Sequence, residues 1–220
     1  MHMSDGRVKR SYHSPLREAQ VELSRSKVLD AAREAFLGEG YAAVTIAGIA
    51  ARAGVARETV YKLFGSKAEL LKRLYDVTVA GDADEIPIAG REWWQEMLAA
   101  DPPSMIATFA RANADVGSRL GPILTMIAGG AAGGDPDLRA LSATAEAERL
   151  TGVSAFIEAL AGRTRLRNGI PADEAVDITW ALIAPEMWQL LTQRRGWDPA
   201  RYRAWLERSL RDSLLDPTSA

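Results

Sequence analysis

The sequence predicts an all-α protein: an amino-terminal three-helix helix-turn-helix domain, joined through a fourth helix to a larger helical body. Three observations predict it. Apolar residues recur at three- and four-residue steps along most of the chain, and strict alternation never holds over a bounded β-branched run. The stretch Thr45 to Phe64 carries the punctuation of two short helices around a tight corner.

In that stretch Ile46, Ile49, Ala50 and Ala53 fall at helical spacing, and Gly54 can stop the helix with φ above zero. Val55 plugs the corner. Ala56 to Leu63 restarts as a second helix, with Val60, Leu63 and Phe64 inward and Arg57, Glu58, Tyr61 and Lys62 outward. This is the pattern of a helix-turn-helix, whose second helix enters the DNA major groove.

Taken in order, residues 1–23 have no clean period and are broken by Ser14-Pro15, so they are expected to form a flexible basic arm carrying Arg7, Lys9, Arg10 and Arg17. Ser24 or Ser26 caps the first helix, with Val28, Leu29, Ala32, Ala35 and Phe36 as its inner stripe and Gly38 and Gly40 at its end. Thr45 caps the second helix. Ser66 and Glu69 have the spacing of a capping box and open a fourth helix that runs to about Ala80, which completes a head at 24–80.

The acidic stretch Asp82, Asp84, Glu85 followed by Pro87 marks a boundary, and 81–220 form a ligand-binding and dimerisation domain. Its helices are expected at Arg91 to Ala99, at Ser104 to Leu120, and from Pro122 until the glycines at 129, 130, 133 and 134. Three more are expected from Asp135-Pro136 to about Ala161, from Pro171 or Ala172 to about Arg195 with a kink at Pro185, and from Pro199 to about Leu215. The count is ten helices.

With 47% hydrophobic and 25% charged residues, the composition is that of an ordinary globular protein. The absence of cysteine excludes disulfides and thiolate chemistry. No apolar run approaches the roughly 18 residues a membrane span needs, and the first residues lack the apolar core of a secretory signal. A cytoplasmic protein without a membrane partner is expected. The net charge is only −2, but residues 1–75 carry 13 Lys and Arg against 8 Asp and Glu, while 76–220 carry 14 against 21. A basic head on an acidic body places the phosphate-facing surface at one end.

Enzymatic readings fail on residue supply. Both histidines, His2 and His13, lie in the arm. The glycine run 129–134 lacks the Lys and Ser/Thr of a phosphate loop and has no strand before it. Asp82, Asp84 and Glu85 lack the glycine and closing glutamate of a calcium loop. No metal, cofactor or catalytic group is expected.

Two features of the body point to binding instead. Val176, Trp180, Ile183, Met187 and Leu190 form one apolar stripe, and Trp205, Leu206 and Leu210 a second, which suits a four-helix contact between two subunits. Large polarisable side chains at Trp93, Trp94, Met105, Phe109, Met126, Phe156, Trp180 and Trp188 suit an adaptable apolar pocket, with Asn113, Arg111 and Arg149 to fix a ligand's polar end.

The runs VLDAAREAFLGEGYAAVTIAGIAARAGV and TVYKLFGSKAELL resemble the amino-terminal domain of the TetR family of one-component transcriptional regulators. The resemblance implies a homodimer joined through its last two long helices and bound to a near-palindromic operator in double-stranded DNA. It implies a repressor, not an enzyme, released by a small apolar or aromatic ligand. It carries over phosphate-contacting roles to Thr45, Thr59, Tyr61 and Lys67. Arg57 has the guanidinium fork that grips guanine O6 and N7, Lys62 suits either task, and Ala56 opens the recognition helix. On the residues alone, an architectural or activating DNA-binding protein without an inducer stays open, as does a helical ligand carrier.

Overall fold

The structure is a computed structural model and describes residues 15–82 and 86–216. Among the described residues there is no β-strand, only an isolated antiparallel bridge between Leu166 and Leu215. The head comprises α1 (Pro15–Glu39), α2 (Ile46–Ala53), α3 (Arg57–Phe64) and α4 (Lys67–Ala80). The body comprises α5 (Glu92–Ala99), α6 (Pro102–Ala132), α7 (Pro136–Ala161), α8 (Ala172–Leu182), α9 (Pro185–Trp188) and α10 (Pro199–Leu214), and a π-helical turn continues α9 over Gln189–Arg194.

The helix ends follow from local chemistry. The Thr45 hydroxyl oxygen accepts from the Gly48 N–H at 3.1 Å, and Gly54 closes α2 in the left-handed region, at φ 66°. At the start of α4 the Ser66 hydroxyl accepts from the Glu69 N–H at 3.2 Å, and the Glu69 carboxylate accepts from the Ser66 N–H at 2.6 Å. Three body helices share one device. Asp101, Asp135 and Asp198 each cap the helix after them, and each is followed by a proline at the first helical position, where the missing N–H costs nothing.

The helix boundaries differ from the expected ones in three places. The first helix begins at Pro15, not Ser24. Its side chains from 16 to 23 are exposed all round, so no apolar stripe betrays it, and of the expected arm only residues 1–14 lie outside the described residues. The two helices expected either side of Pro122 are one, α6. A residue before proline is normally pushed out of helix by its Cβ, and here that residue is Gly121. Pro185, by contrast, breaks its helix outright: Ala184 is extended (φ −58°, ψ 139°), and α8 and α9 are separate. The totals agree only because one pair merges while another helix splits.

Two cores result. Phe36, Ile49, Val60, Leu70 and Leu71 fill the head, and the same cluster continues into Leu120, Ile123 and Ile127 of α6 and Leu138 of α7. The second cluster fills the body, around Met105, Phe109, Phe156 and Leu206. The apolar packing does not stop at the boundary expected at residue 81, since half of α6 belongs to the head's core.

Polar ties reinforce that junction. The Arg119 guanidinium donates to the carbonyls of Thr78 (3.1 Å) and Val79 (3.0 Å) at the end of α4, and Arg33 donates to the Arg119 carbonyl at 3.1 Å. Lys72 bridges Asp76 (2.5 Å) and Glu148 of α7 (2.9 Å). The Tyr41 hydroxyl donates to the Asp137 carboxylate at 2.7 Å.

Burial, and then the acceptor carboxylate, push the Tyr41 phenol above its usual range. The raised value means that this tie stabilises the fold fully below the ordinary tyrosine pKa of about 10 and is lost as the pH climbs above it. Tyr41→Phe is expected to cost about 1 kcal/mol at neutral pH, because Asp137 stays solvated when its donor is removed. Urea unfolding against pH checks both statements: the variant should lose less stability than the parent on raising the pH past about 10.

Candidate nucleic-acid interface and the body behind it

On α3, Val60 is fully buried and Phe64 nearly so, and they fix the helix against the head's core. Arg57, Glu58, Tyr61 and Lys62 stand on the exposed side. Arg57 lies 5.9 Å from the Tyr61 ring centroid, an i,i+4 cation–π pair that holds both side chains over one face. Ala56 supplies no side-chain cap, which leaves the first N–H groups of α3 open to an anion. Thr45 spends its acceptor on Gly48 and keeps an O–H to donate outward. Thr59 is half-buried beside them.

The body's aromatic residues are packed against one another. Phe109 and Phe156 stack at 4.1 Å, Trp93 meets Trp94 edge-on at 5.7 Å, and Trp188 meets Tyr202 edge-on at 4.8 Å. A Cβ on Gly117 would stand 2.6 Å from the Trp188 ring and one on Gly121 3.1 Å from its Nε1, so the indole lies directly on the α6 backbone. Two cavities are found elsewhere, both at the junction of head and body. One, of about 270 Å³, lies between α1, α4 and α6. The other, of about 770 Å³, opens between the α1–α2 turn and the glycine end of α6, with Met126 on its wall.

Comparison with known proteins gives a family match for the head and a fold match for the body. A profile described as bacterial regulatory proteins, tetR family, matches residues 28–74, which run from α1 through α4. Over that stretch the head matches the TetR family. Similar curated relatives are the HTH-type transcriptional regulators AlkX of Mycobacterium tuberculosis, 41% identical over 56 residues, and TtgR of Pseudomonas putida, 40% identical over 57. The matched stretch spans 26% of this chain in both comparisons, and 26% and 27% of those relatives. In fold the likeness extends to the body. The SmeT–triclosan complex superposes with a TM-score of 0.70 at 18% identity, covering 90% of this chain and 94% of that one. NalD of Pseudomonas aeruginosa, the secondary repressor of the MexAB-OprM multidrug efflux pump, gives 0.68 at 24%, covering 90% and 99%.

In the structure several expected site residues have other tasks. The Lys67 ammonium is turned inward: it donates to the carbonyls of Tyr41 (2.9 Å) and Val44 (3.2 Å) and sits 4.1 Å from the Tyr41 ring centroid. It ties the α1–α2 turn to the start of α4. In the body, Trp94, Met105, Phe109, Phe156 and Trp188 are buried in the core and line neither of these two cavities. Asn113 donates to the Phe109 carbonyl on its own helix. Arg149 lies 4.2 Å over the Trp180 ring and donates to the Trp180 carbonyl at 2.7 Å, so it braces α7 on α8.

Of the two stripes expected at a dimer contact, Leu206 and Leu210 are fully buried inside the subunit and offer a partner no surface. Val176, Trp180, Ile183, Met187 and Trp205 stay half-buried, and Leu190 is 43% exposed. Sequence reasoning missed Arg33 and Arg119 altogether. Their partners lie 45 and 86 residues, and 41 and 40 residues, away along the chain, and no local pattern marks them.

Proposed function

We propose that this protein is a homodimeric transcriptional repressor that reads a near-palindromic operator through paired α3 helices and releases it when a small apolar or aromatic ligand enters the body. The observation that carries the DNA-binding reading is α3 itself: Arg57, Tyr61 and Lys62 exposed on one side, Val60 sealed on the other, on a TetR-family head. Arg57 reads a base, and Thr45, Thr59, Tyr61 and the open α3 N-terminus hold phosphates. Operator DNA in the cytoplasm is the partner.

Support for the effector half comes from the body. A ligand entering there parts the Phe109–Phe156 stack, and α6, which carries Phe109, also carries Arg119 against the end of α4. The Thr179 hydroxyl and the Trp180 indole nitrogen are buried with no hydrogen-bond partner among the described residues, and they give such a ligand polar groups to meet. The similar folds of SmeT, solved with triclosan, and NalD, named as a repressor, favour the same reading. Ligand and operator then weaken one another's binding, as linkage requires.

Selection of duplexes from a random pool by the full chain tests the core of this proposal. A repressor enriches a two-fold symmetric sequence with half-sites about one helical turn apart, and an architectural protein enriches none. Arg57→Ala is expected to lose about 1–3 kcal/mol of binding and to relax selectivity at one base position. An equal loss on every sequence would place Arg57 among the phosphate contacts.

A further inference from the structure

We propose that the junction of head and body holds a ligand site of its own, which takes a small carboxylate with a short apolar tail. The site is the cavity of about 270 Å³ between α1, α4 and α6, apart from the aromatic cluster of the body. Its volume falls just below the roughly 300–1,000 Å³ of sites for drug-sized ligands, which sets the occupant's size.

The walls set its chemistry. Leu29, Leu74 and Val77 form an apolar side, and Arg33 and Arg119 bring two guanidinium groups to the same space. Neither arginine is in an ion pair among the described residues. Their hydrogen bonds go to neutral oxygens: Arg33 to the Thr78 hydroxyl (3.4 Å) and the Arg119 carbonyl (3.1 Å), Arg119 to the carbonyls of Thr78 and Val79. A guanidinium has five N–H donors, so each retains donors beyond those bonds.

Two like charges that line one cavity and are hydrogen-bonded to neutral acceptors favour an anion between them, and a carboxylate fits the guanidinium fork. Asp30 lines the same cavity, so the rim carries two positive charges against one negative. Gly81 completes the site. It caps α4 in the left-handed region at φ +85°, and a Cβ there would stand 3.4 Å from the Arg119 guanidinium. Oxyanions such as phosphate share the charge but cannot use the leucine and valine wall, so the geometry selects a carboxylate with a few carbons behind it. A ligand there braces the end of α4 against α1 and α6.

Calorimetric titration of the full chain without DNA tests this, so that failure of the site is distinct from failure of the DNA-binding reading. The probes are sodium hexanoate, 1-hexanol and sodium phosphate, at one ionic strength held with chloride. Hexanoate is expected to saturate at one site per chain, with the neutral alcohol and phosphate each about tenfold weaker or worse. Arg33→Gln should weaken hexanoate about tenfold. Asp30→Asn should tighten it, by about threefold, a gain that a poorly folded variant does not produce. Equal affinity for phosphate or for hexanol, or hexanoate binding that neither substitution alters, would overturn the proposal.

Discussion

Trp188→Ala is expected to destabilise the subunit by about 3–5 kcal/mol, the usual cost of removing a large buried aromatic. Trp188 is 7% exposed, meets Tyr202 edge-on and rests on Gly117 and Gly121 of α6. Its loss leaves a gap that α6, anchored at both ends, closes only in part. At roughly 2–4 °C per kcal/mol for a chain of this size, the melting temperature falls by about 6–20 °C. The converse change, Gly117→Val, forces side-chain atoms into the ring and costs about 1–3 kcal/mol or more. The two changes act on one contact and so must not add. Once the indole is gone, Gly117→Val should become nearly neutral. A double-mutant cycle by urea unfolding reads this directly, and additive losses would mean that Trp188 does not pack on that stretch of α6.

That contact also marks where sequence reasoning stops. The head was legible because its signals are local: Thr45, Gly54 and the Ser66–Glu69 box each act within a few residues, and each forms as the spacing implies. Pro122 and Pro185 were harder, because a proline's effect depends on its predecessor and on what the neighbouring helix offers. Gly121 lets α6 run through, whereas after Ile183 and Ala184 the chain starts a new helix whose Trp188 fills the α6 groove. The candidate site divides in the same way. The exposed face of α3 could be read from a period, but a period shows only which side of a helix is apolar, not what covers it. Leu206 and Leu210 are covered by their own subunit, and Phe109 and Phe156 cover each other. Large side chains suit a pocket and a filled core equally well. The junction arginines leave no trace in composition or spacing, since only the fold brings Arg33, Thr78 and Arg119 together.

Leu190→Asp is expected to abolish the proposed dimer while leaving the subunit folded. Leu190 is 43% exposed in the single chain, so a carboxylate there remains in water and costs the subunit little. Pressed against a second copy, the same carboxylate is buried without a partner, at several kcal/mol for each of two symmetry-related sites. Trp180 is a poorer position for this test, because Arg149 over its ring would pair with an introduced carboxylate and mask the effect. Leu206→Asp is poorer still, since a charge at that fully buried position unfolds the subunit. Separated heads also lose the advantage of binding two half-sites at once, a factor of about 10²–10⁴ in operator affinity. Sedimentation velocity and circular dichroism on the same sample report the two halves of the prediction. A variant that still sediments as a dimer and holds its operator as tightly as the parent would remove Leu190, and the face around it, from the interface.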